Sequence, residues 1–134
     1  MFHHNLDAVF SIELEELRFV NANAAFETMT GISFDNLKDR CFIGLIHDED
    51  HSDVFRTLHE VTGHGEPRDL ECRLASTDDE ERIVSITFVP IFLSGELNGI
   101  HGILKDITRR KLEERELVRS EERSKFLQMS LNRL

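Results

Sequence analysis

The sequence predicts an α+β domain in which one antiparallel sheet carries short helices on a single face. Three observations predict it: two short strand patterns open the chain, helical patterns fill its middle, and three strand patterns joined by short turns follow. With 134 residues, of which 40% are hydrophobic, the chain has the size and apolar content of one globular domain. The predicted element order is ββαααβββ, followed by a long C-terminal helix.

The first two strands form a predicted hairpin. Apolar and polar residues alternate from Asp7 to Glu13, which is the period of a half-buried strand, and a second apolar run spans Leu17 to Val20. The acidic residues Glu15 and Glu16 lie between the two runs and are expected to form the turn.

Helical patterns occupy the middle of the chain. Asn21 is the predicted N-cap of a first helix that ends at Gly31, and shorter helical turns are expected up to Ile46. The longest pattern begins after Asp48 or Asp50, either of which could cap it, and runs to Val61, before two glycines that are expected to end it. Its apolar stripe has the spacing of one helical face and consists of Val54, Phe55, Leu58 and Val61.

Three strand patterns follow the helices. Apolar residues alternate in 70–75, residues 82–93 are rich in β-branched and aromatic types, and 97–107 form the last strand pattern. Consecutive strands joined by short turns, such as the polar turn at residues 77–81, predict an antiparallel meander.

The C-terminal segment, from Thr108 onward, is charged and contains helix-forming residues without Gly or Pro. Thr108 is the predicted N-cap of this helix. A partial heptad pattern, weakened by serines at intermediate positions, indicates a fragment of a coiled-coil seam. Its leucines are Leu117, Leu127, Leu131 and Leu134. We therefore divide the chain into a globular core, residues 1–107, and a linker helix, residues 108–134.

Composition disfavours several classes of partner. The net charge of −10 weighs against nucleic acids and anionic membrane surfaces, because both are bound through Lys and Arg. No apolar run approaches the length of a membrane-spanning helix, and the N-terminus lacks a signal-peptide pattern. The two cysteines, Cys41 and Cys72, form no CxxC pattern, which fits a reducing compartment. We expect a cytoplasmic protein without direct membrane contact.

Four motifs, in this order and spacing, resemble those of the PAS domain, the PAS/PAC sensor-box family of bacterial and archaeal signal-transduction proteins. They are Gly31–Leu37 (GISFDNL), Leu45–Asp50 (LIHDED), Pro90–Phe92 (PIF) with Gly95 and Gly99 after it, and Gly102–Lys111 (GILKDITRRK). Asp48 stands where the family usually has proline. The resemblance covers nearly the whole chain and implies a PAS-like five-stranded antiparallel sheet, covered on one face by short helices, with a long C-terminal signalling helix.

The resemblance implies a sensory input domain of a multidomain signalling protein rather than an enzyme. The expected output is a sensor histidine kinase of a two-component system, with a diguanylate cyclase next, in the same polypeptide. The signal would pass through Asp106, Ile107 and Thr108, where the last strand meets the helix. A homodimer is expected to use the outer sheet face and the helix. The dimer-face candidates are Ile83, Val89, Ile91, Ile103 and Leu117.

A cavity between the sheet and the helices is also implied by the resemblance. Its apolar lining would either hold a small organic ligand or fill the core, and in the second case the domain is a ligand-free dimerisation scaffold. The sequence leaves both open. The pocket candidates are Phe26, Met29, Phe42, Ile46, Leu58, Cys72, Leu74, Val84, Ile86, Phe88 and Leu104.

Flavin and haem are disfavoured as cofactors, and no metal site is expected. Flavin-binding relatives carry a reactive cysteine at a position that corresponds here to Phe42, whereas Cys41 falls one residue early. Oxygen-sensing relatives bind haem iron through a histidine on the long helix, for which His59 and then His51 are the candidates. His47 and His51 flank three acidic residues, a pattern that we interpret as an acidic helix start.

Overall fold

The computed structural model describes residues 7–75 and 82–117. Over these residues the chain forms a five-stranded antiparallel sheet, with helices between the second and third strands and a helical segment after the fifth. This arrangement confirms the predicted α+β class. The predicted polar turn at 77–81 and the last three heptad leucines lie outside the described residues.

The elements have the following bounds. The strands are β1 (Ala8–Glu13), β2 (Phe19–Ala22), β3 (Arg68–Arg73), β4 (Ile83–Leu93) and β5 (Glu96–Asp106). The α-helices are α1 (Ala24–Thr30), α2 (Phe34–Leu37) and α3 (His51–His64), and two 3-10 helices span Phe42–Leu45 and Asp48–Asp50. Residues 108–117 are helical and are called the exit helix below.

The strand order is β2-β1-β5-β4-β3, so the last strand lies at the centre of the sheet beside the first. In one cross-strand row, Gly102 of β5 lies between Phe10 of β1 and Phe88 of β4. This position of β5 matters because the strand that leads into the exit helix is hydrogen-bonded on both sides.

The turn between β1 and β2 is longer than the sequence pattern predicts. Glu13 Oε1 accepts hydrogen bonds from the backbone N–H groups of Glu16, at 2.6 Å, and Arg18, at 3.1 Å. These bonds extend the turn, and Leu17 takes a left-handed conformation with φ 59°. Strand β2 accordingly begins at Phe19 instead of the expected Leu17.

Asn23, not the predicted Asn21, caps helix α1. Its Oδ1 accepts hydrogen bonds from the N–H of Phe26 at 2.9 Å and of Val9 at 3.0 Å. The single amide therefore satisfies a free helix donor and also fixes the helix to strand β1. The sequence offered two asparagines, and only the tertiary contact with β1 distinguishes them.

Helix α3 extends past the expected stop at Gly63 and ends at Gly65, whose φ of 67° suits glycine. Val54, Leu58 and Val61 face the core as predicted, but Phe55 is 52% exposed. Its expected place on the buried face is taken by Thr57, whose hydroxyl donates to the backbone oxygen of Asp53 at 2.8 Å. The satisfied hydroxyl explains how a polar residue is buried there.

Candidate functional site

Five phenylalanine rings fill the space between the sheet and the helices. Phe10 and Phe42 are stacked with their ring centroids 5.0 Å apart, and Phe88 meets Phe42 edge-on at 5.9 Å. The remaining rings, Phe19 and Phe26, lie 5.7 and 5.3 Å from Phe10. Each of these five side chains is at most 4% exposed. Aromatic rings at such distances attract one another and leave little free volume between them.

The eleven pocket candidates all lie in one hydrophobic cluster. Nine are buried, while Met29 and Leu74 are half-buried at its margin. The structure thus brings the candidates together in one part of the core. Whether they enclose a ligand or only one another stays a prediction.

A surface groove of about 610 Å³ lies where the exit helix passes the edge strand β3. Its walls are mainly charged, so it differs in character from the expected apolar cavity. It is lined by Asp50, Glu71, Cys72, Arg73, Ile83, Lys111, Glu114 and Arg115. Of the pocket candidates, only Cys72 reaches it.

The junction between β5 and the exit helix is fixed to the first residue of β4. The backbone N–H of Ile83 donates to Thr108 Oγ1 at 2.9 Å, and the Ile83 carbonyl accepts from the N–H of Ile107 at 2.9 Å. The Thr108 hydroxyl itself donates to Asp106 Oδ1 at 2.6 Å. Both backbone polar groups of Ile83 are therefore bound by the junction.

The cap of the exit helix differs from the prediction. Thr108 is the first helical residue, and Asp106 Oδ1 accepts its backbone N–H at 3.0 Å. The first intrahelical bond runs from the N–H of Lys111 to the oxygen of Ile107, at 3.0 Å. The carboxylate of Asp106 satisfies a helix donor, and the hydroxyl of Thr108 is left to bind β4. The buried side chain of Ile107, which is 8% exposed, anchors this turn.

A second contact holds the exit helix to the edge strand β3. Glu71 accepts from Lys111 Nζ at 2.8 Å and from Arg110 Nη2 at 3.1 Å. These ion pairs lower the pKa of Glu71, chiefly through its hydrogen bond to Lys111. Because the carboxylate is 45% exposed, each pair stabilises the contact only weakly.

Strand β3 is also joined to the start of α3. Asp50 Oδ2 accepts the backbone N–H of Arg73 at 2.8 Å and its Nε at 3.2 Å, while Oδ1 accepts Nη2 at 3.1 Å. The hydrogen bonds to this guanidinium lower the pKa of Asp50. Cys72 lies between Glu71 and Arg73 on β3, and burial raises the pKa of its thiol to about 12. Cys72 is therefore a packed, protonated thiol.

The dimer-face candidates do not share one environment. Val89, Ile91 and Ile103 are half-buried on the face of the sheet that points away from the helices, and Leu117 is 61% exposed on the exit helix. Ile83 is only 6% exposed, because the exit helix begins beside it. Ile83 is thus not available to a partner, which corrects its assignment to the open face.

The two candidate haem ligands do not face the core. His59 is exposed on α3, and His51 Nε2 donates to the backbone oxygen of Ile46 at 2.8 Å. Nδ1 of His47 accepts the backbone N–H of Glu49 at 3.2 Å, so the side chain of His47 caps the short acidic 3-10 helix that follows it. No group of His, Cys, Asp and Glu side chains arranged to hold a metal ion occurs within residues 7–75 and 82–117.

Phe42, whose ring is buried, stands at the position that the resemblance assigns to the reactive cysteine of flavin-binding relatives. Cys41 precedes it and is exposed, beside a pocket of about 220 Å³ that also involves Arg40 and Leu45. The thiol therefore points away from the space that Phe42 occupies between Phe10 and Phe88.

The sequence analysis missed two residues that position the exit helix and pack the core. Glu71 alternates with apolar residues on its strand, so only its outward direction could have been inferred. Gly102 was noted only within a motif, yet a methyl group there would overlap the ring of Phe10. A glycine inside a strand pattern signals such a close approach.

The described helices include none long and apolar enough to cross a membrane. A family model described as the PAS fold matches residues 5–112. No curated protein sequence matches the chain.

Solved structures with the same fold include domains from three microorganisms. A domain from Haloarcula marismortui, named as part of a light and redox sensing histidine kinase, is 29% identical with a TM-score of 0.66, covering 77% of this chain and 90% of that chain. A sensory box histidine kinase/response regulator from Burkholderia thailandensis is 21% identical with a TM-score of 0.73, covering 92% and 94%. The PAS domain of a protein from Colwellia psychrerythraea is 21% identical with a TM-score of 0.71, covering 81% and 92%.

Proposed function

Because this chain belongs to the PAS family, we propose that it is the sensory input domain of a longer signalling polypeptide whose output is a histidine kinase. The kinase is supported by the name of the 29% identical domain from Haloarcula marismortui. In this proposal the core, residues 1–107, detects the signal, and the helix from residue 108 onward carries it to the output.

The observation that carries the proposal is the attachment of the junction to β4. Thr108 and Ile107 bind the N–H and the carbonyl of Ile83, so the first turn of the exit helix cannot move independently of that strand. The inner face of β4 is buried in the core through Ile86 and Phe88. A change in core packing would displace β4 and, through Ile83, reorient the exit helix.

Dimerisation is the second part of the proposal. Val89, Ile91 and Ile103 supply apolar surface on the outer sheet face, and Leu117 extends it along the exit helix. Two copies packed through these residues would hold two exit helices side by side, which is the arrangement a partial coiled-coil seam requires. A change in helix direction would then alter the geometry of both output domains at once.

The junction is tested in the longer polypeptide by comparing Thr108→Val with Thr108→Ser. Valine has nearly the shape of threonine but lacks the hydroxyl that accepts from Ile83 and donates to Asp106, whereas serine keeps it. We expect the valine variant to lose the response of the kinase to its signal, with the serine variant close to wild type. An unchanged response in the valine variant would show that the bond between the Thr108 hydroxyl and Ile83 is not part of the route.

A ligand-free dimerisation scaffold is the second candidate, and the aromatic cluster favours it. The ring of Phe42 occupies the space between Phe10 and Phe88, where a ligand would otherwise lie. Native mass spectrometry of the purified chain, compared with a denatured sample, separates the two functions. A small molecule that is retained only in the native spectrum supports ligand sensing, and its absence together with a dimeric mass supports the scaffold.

A further inference from the structure

The middle of the outer sheet face combines apolar residues with one histidine. His101 lies on the central strand β5, between Ser11 of β1 and Val89 of β4. The neighbouring row on the same face contains Ile103, with Val9 and Thr87 beside it. All six side chains are half-buried, and the five neighbours of His101 in these rows carry no charge.

These two rows form a patch without acidic residues at the middle of the face, although the chain has a net charge of −10 and the carboxylates of Glu13 and Asp69 lie on the same face at the margins of the patch. Two copies of such a chain repel each other, and this repulsion is weakest where uncharged surfaces meet. A second copy is therefore the occupant that suits this face, because an isologous contact would place the two uncharged patches against each other. This step rests on the dimer described under the proposed function.

Two carboxylates lie on the same face around the rows of His101 and Ile103, those of Glu13 and Asp69. The next residues of the face beyond His101 are Glu13 on β1, Gly99 on β5 and Ile91 on β4. Hydrogen bonds from the backbone of Arg18 and Glu16 occupy the carboxylate of Glu13 and lower its pKa.

Asp69 of β3 continues the Ile103 row beside Thr87, and the exposed Lys105 lies past that row. Asp69 accepts the hydroxyl of Thr87 at 2.7 Å. The imidazole of His101 itself shares a hydrogen bond of 3.3 Å between Nδ1 and Ser11 Oγ. Among the described residues, no carboxylate forms an ion pair or a hydrogen bond with His101.

We propose that His101 makes the self-association of this domain sensitive to pH, the dimer forming when the imidazole is neutral and dissociating when it is protonated. Covering the outer face removes His101 from water, and burial disfavours the charged form of an imidazole. Each copy brings one such group, so dimer formation at acid pH must release two protons. Histidine is the side chain whose charge ordinarily changes in the physiological range.

The test measures the dimer dissociation constant of the full chain by sedimentation equilibrium between about pH 8 and about pH 5.5, the range that brackets histidine titration. For wild type the constant should rise on acidification, by up to ~100-fold per pH unit once both imidazoles are charged. His101→Gln remains neutral, and its dissociation constant should stay nearly constant. The exposed His59 lies on α3, away from the sheet face, and His59→Gln should behave as wild type.

Val89→Asp separates the failure of this inference from failure of the proposed dimer. If the outer face is the interface, this variant is monomeric at about pH 8, where His101 is neutral and the added carboxylate would be buried beside its copy without a positive partner. A wild type that is monomeric throughout, or a Val89→Asp variant that remains dimeric at that pH, overturns both the dimer and the role of His101. If Val89→Asp is monomeric while His101→Gln keeps the full pH response, the dimer stands and the inference about His101 is wrong.

Discussion

The Gly102→Ala variant tests how tightly the core is packed around Phe10. A methyl group at Gly102 would overlap three atoms of the Phe10 ring, the farthest of which, Cε2, would lie only 2.8 Å away. The ring cannot move aside easily, because it is stacked on Phe42 at 5.0 Å and meets Phe26 at 5.3 Å. Overpacking of this kind costs about 1–3 kcal/mol of unfolding free energy.

Urea unfolding followed by circular dichroism measures the effect. We expect Gly102→Ala to lower the free energy of unfolding by ~2 kcal/mol and the melting temperature by about 8 °C. Gly63→Ala is the matched control: Gly63 is exposed near the end of helix α3 with no atom near its added methyl, so the substitution should stabilise the protein by up to about 1 kcal/mol.

A double variant shows whether the clash is with Phe10 itself. Phe10→Leu replaces the ring with a smaller side chain. This substitution should lower the free energy of unfolding less in the Gly102→Ala background than in wild type, because there it also relieves the overlap. The account of the aromatic cluster is refuted if Gly102→Ala is as stable as Gly63→Ala. It is also refuted if the changes in unfolding free energy caused by Phe10→Leu and Gly102→Ala are additive.

Three further predictions concern the ties of strand β3. The pKa of Asp50 is lowered in the folded protein, so its bond to Arg73 stabilises the fold above about pH 4 and is lost as the pH falls through the folded pKa. Asp50→Asn should therefore be less stable than wild type at neutral pH. A difference in unfolding free energy that remains equally large in acid would contradict this. A thiol reagent at neutral pH should modify Cys41 rapidly and Cys72 only on unfolding, because burial keeps the latter protonated; equal rates would contradict the packing. Glu71→Gln should speed amide hydrogen exchange in the exit helix while changing global stability by less than about 1 kcal/mol, and unchanged exchange would mean that the ion pairs do not hold the helix.

Local patterns predicted the order and type of the elements because they depend on periodicity and turn chemistry. Alternation in β1 and the stripe in α3 both report which side of an element is apolar, and both elements occur where expected. The identity of the helix cap did not follow from pattern alone. Asn21 and Asn23 have the same capping chemistry, and the choice depends on the contact of Asn23 with Val9 on another element.

The candidate site was predictable in composition but not in its connections. The apolar pocket candidates were recognisable by alternation, and the family resemblance supplied the junction. Glu71 and Ile83 were not recognisable, since their roles arise where the exit helix crosses the ends of β3 and β4. Such crossings depend on helix direction, which short-range sequence patterns do not encode.

The central claim is that the hydroxyl of Thr108 joins the exit helix to strand β4. Amide hydrogen exchange of Thr108→Val and Thr108→Ser, read at Ile83 and in residues 108–117, tests it most directly. The claim predicts that exchange in the valine variant is faster by ~10-fold or more, as expected when a buried hydrogen bond is lost, while the serine variant matches wild type. Equal protection of Ile83 and of residues 108–117 in both variants would contradict it.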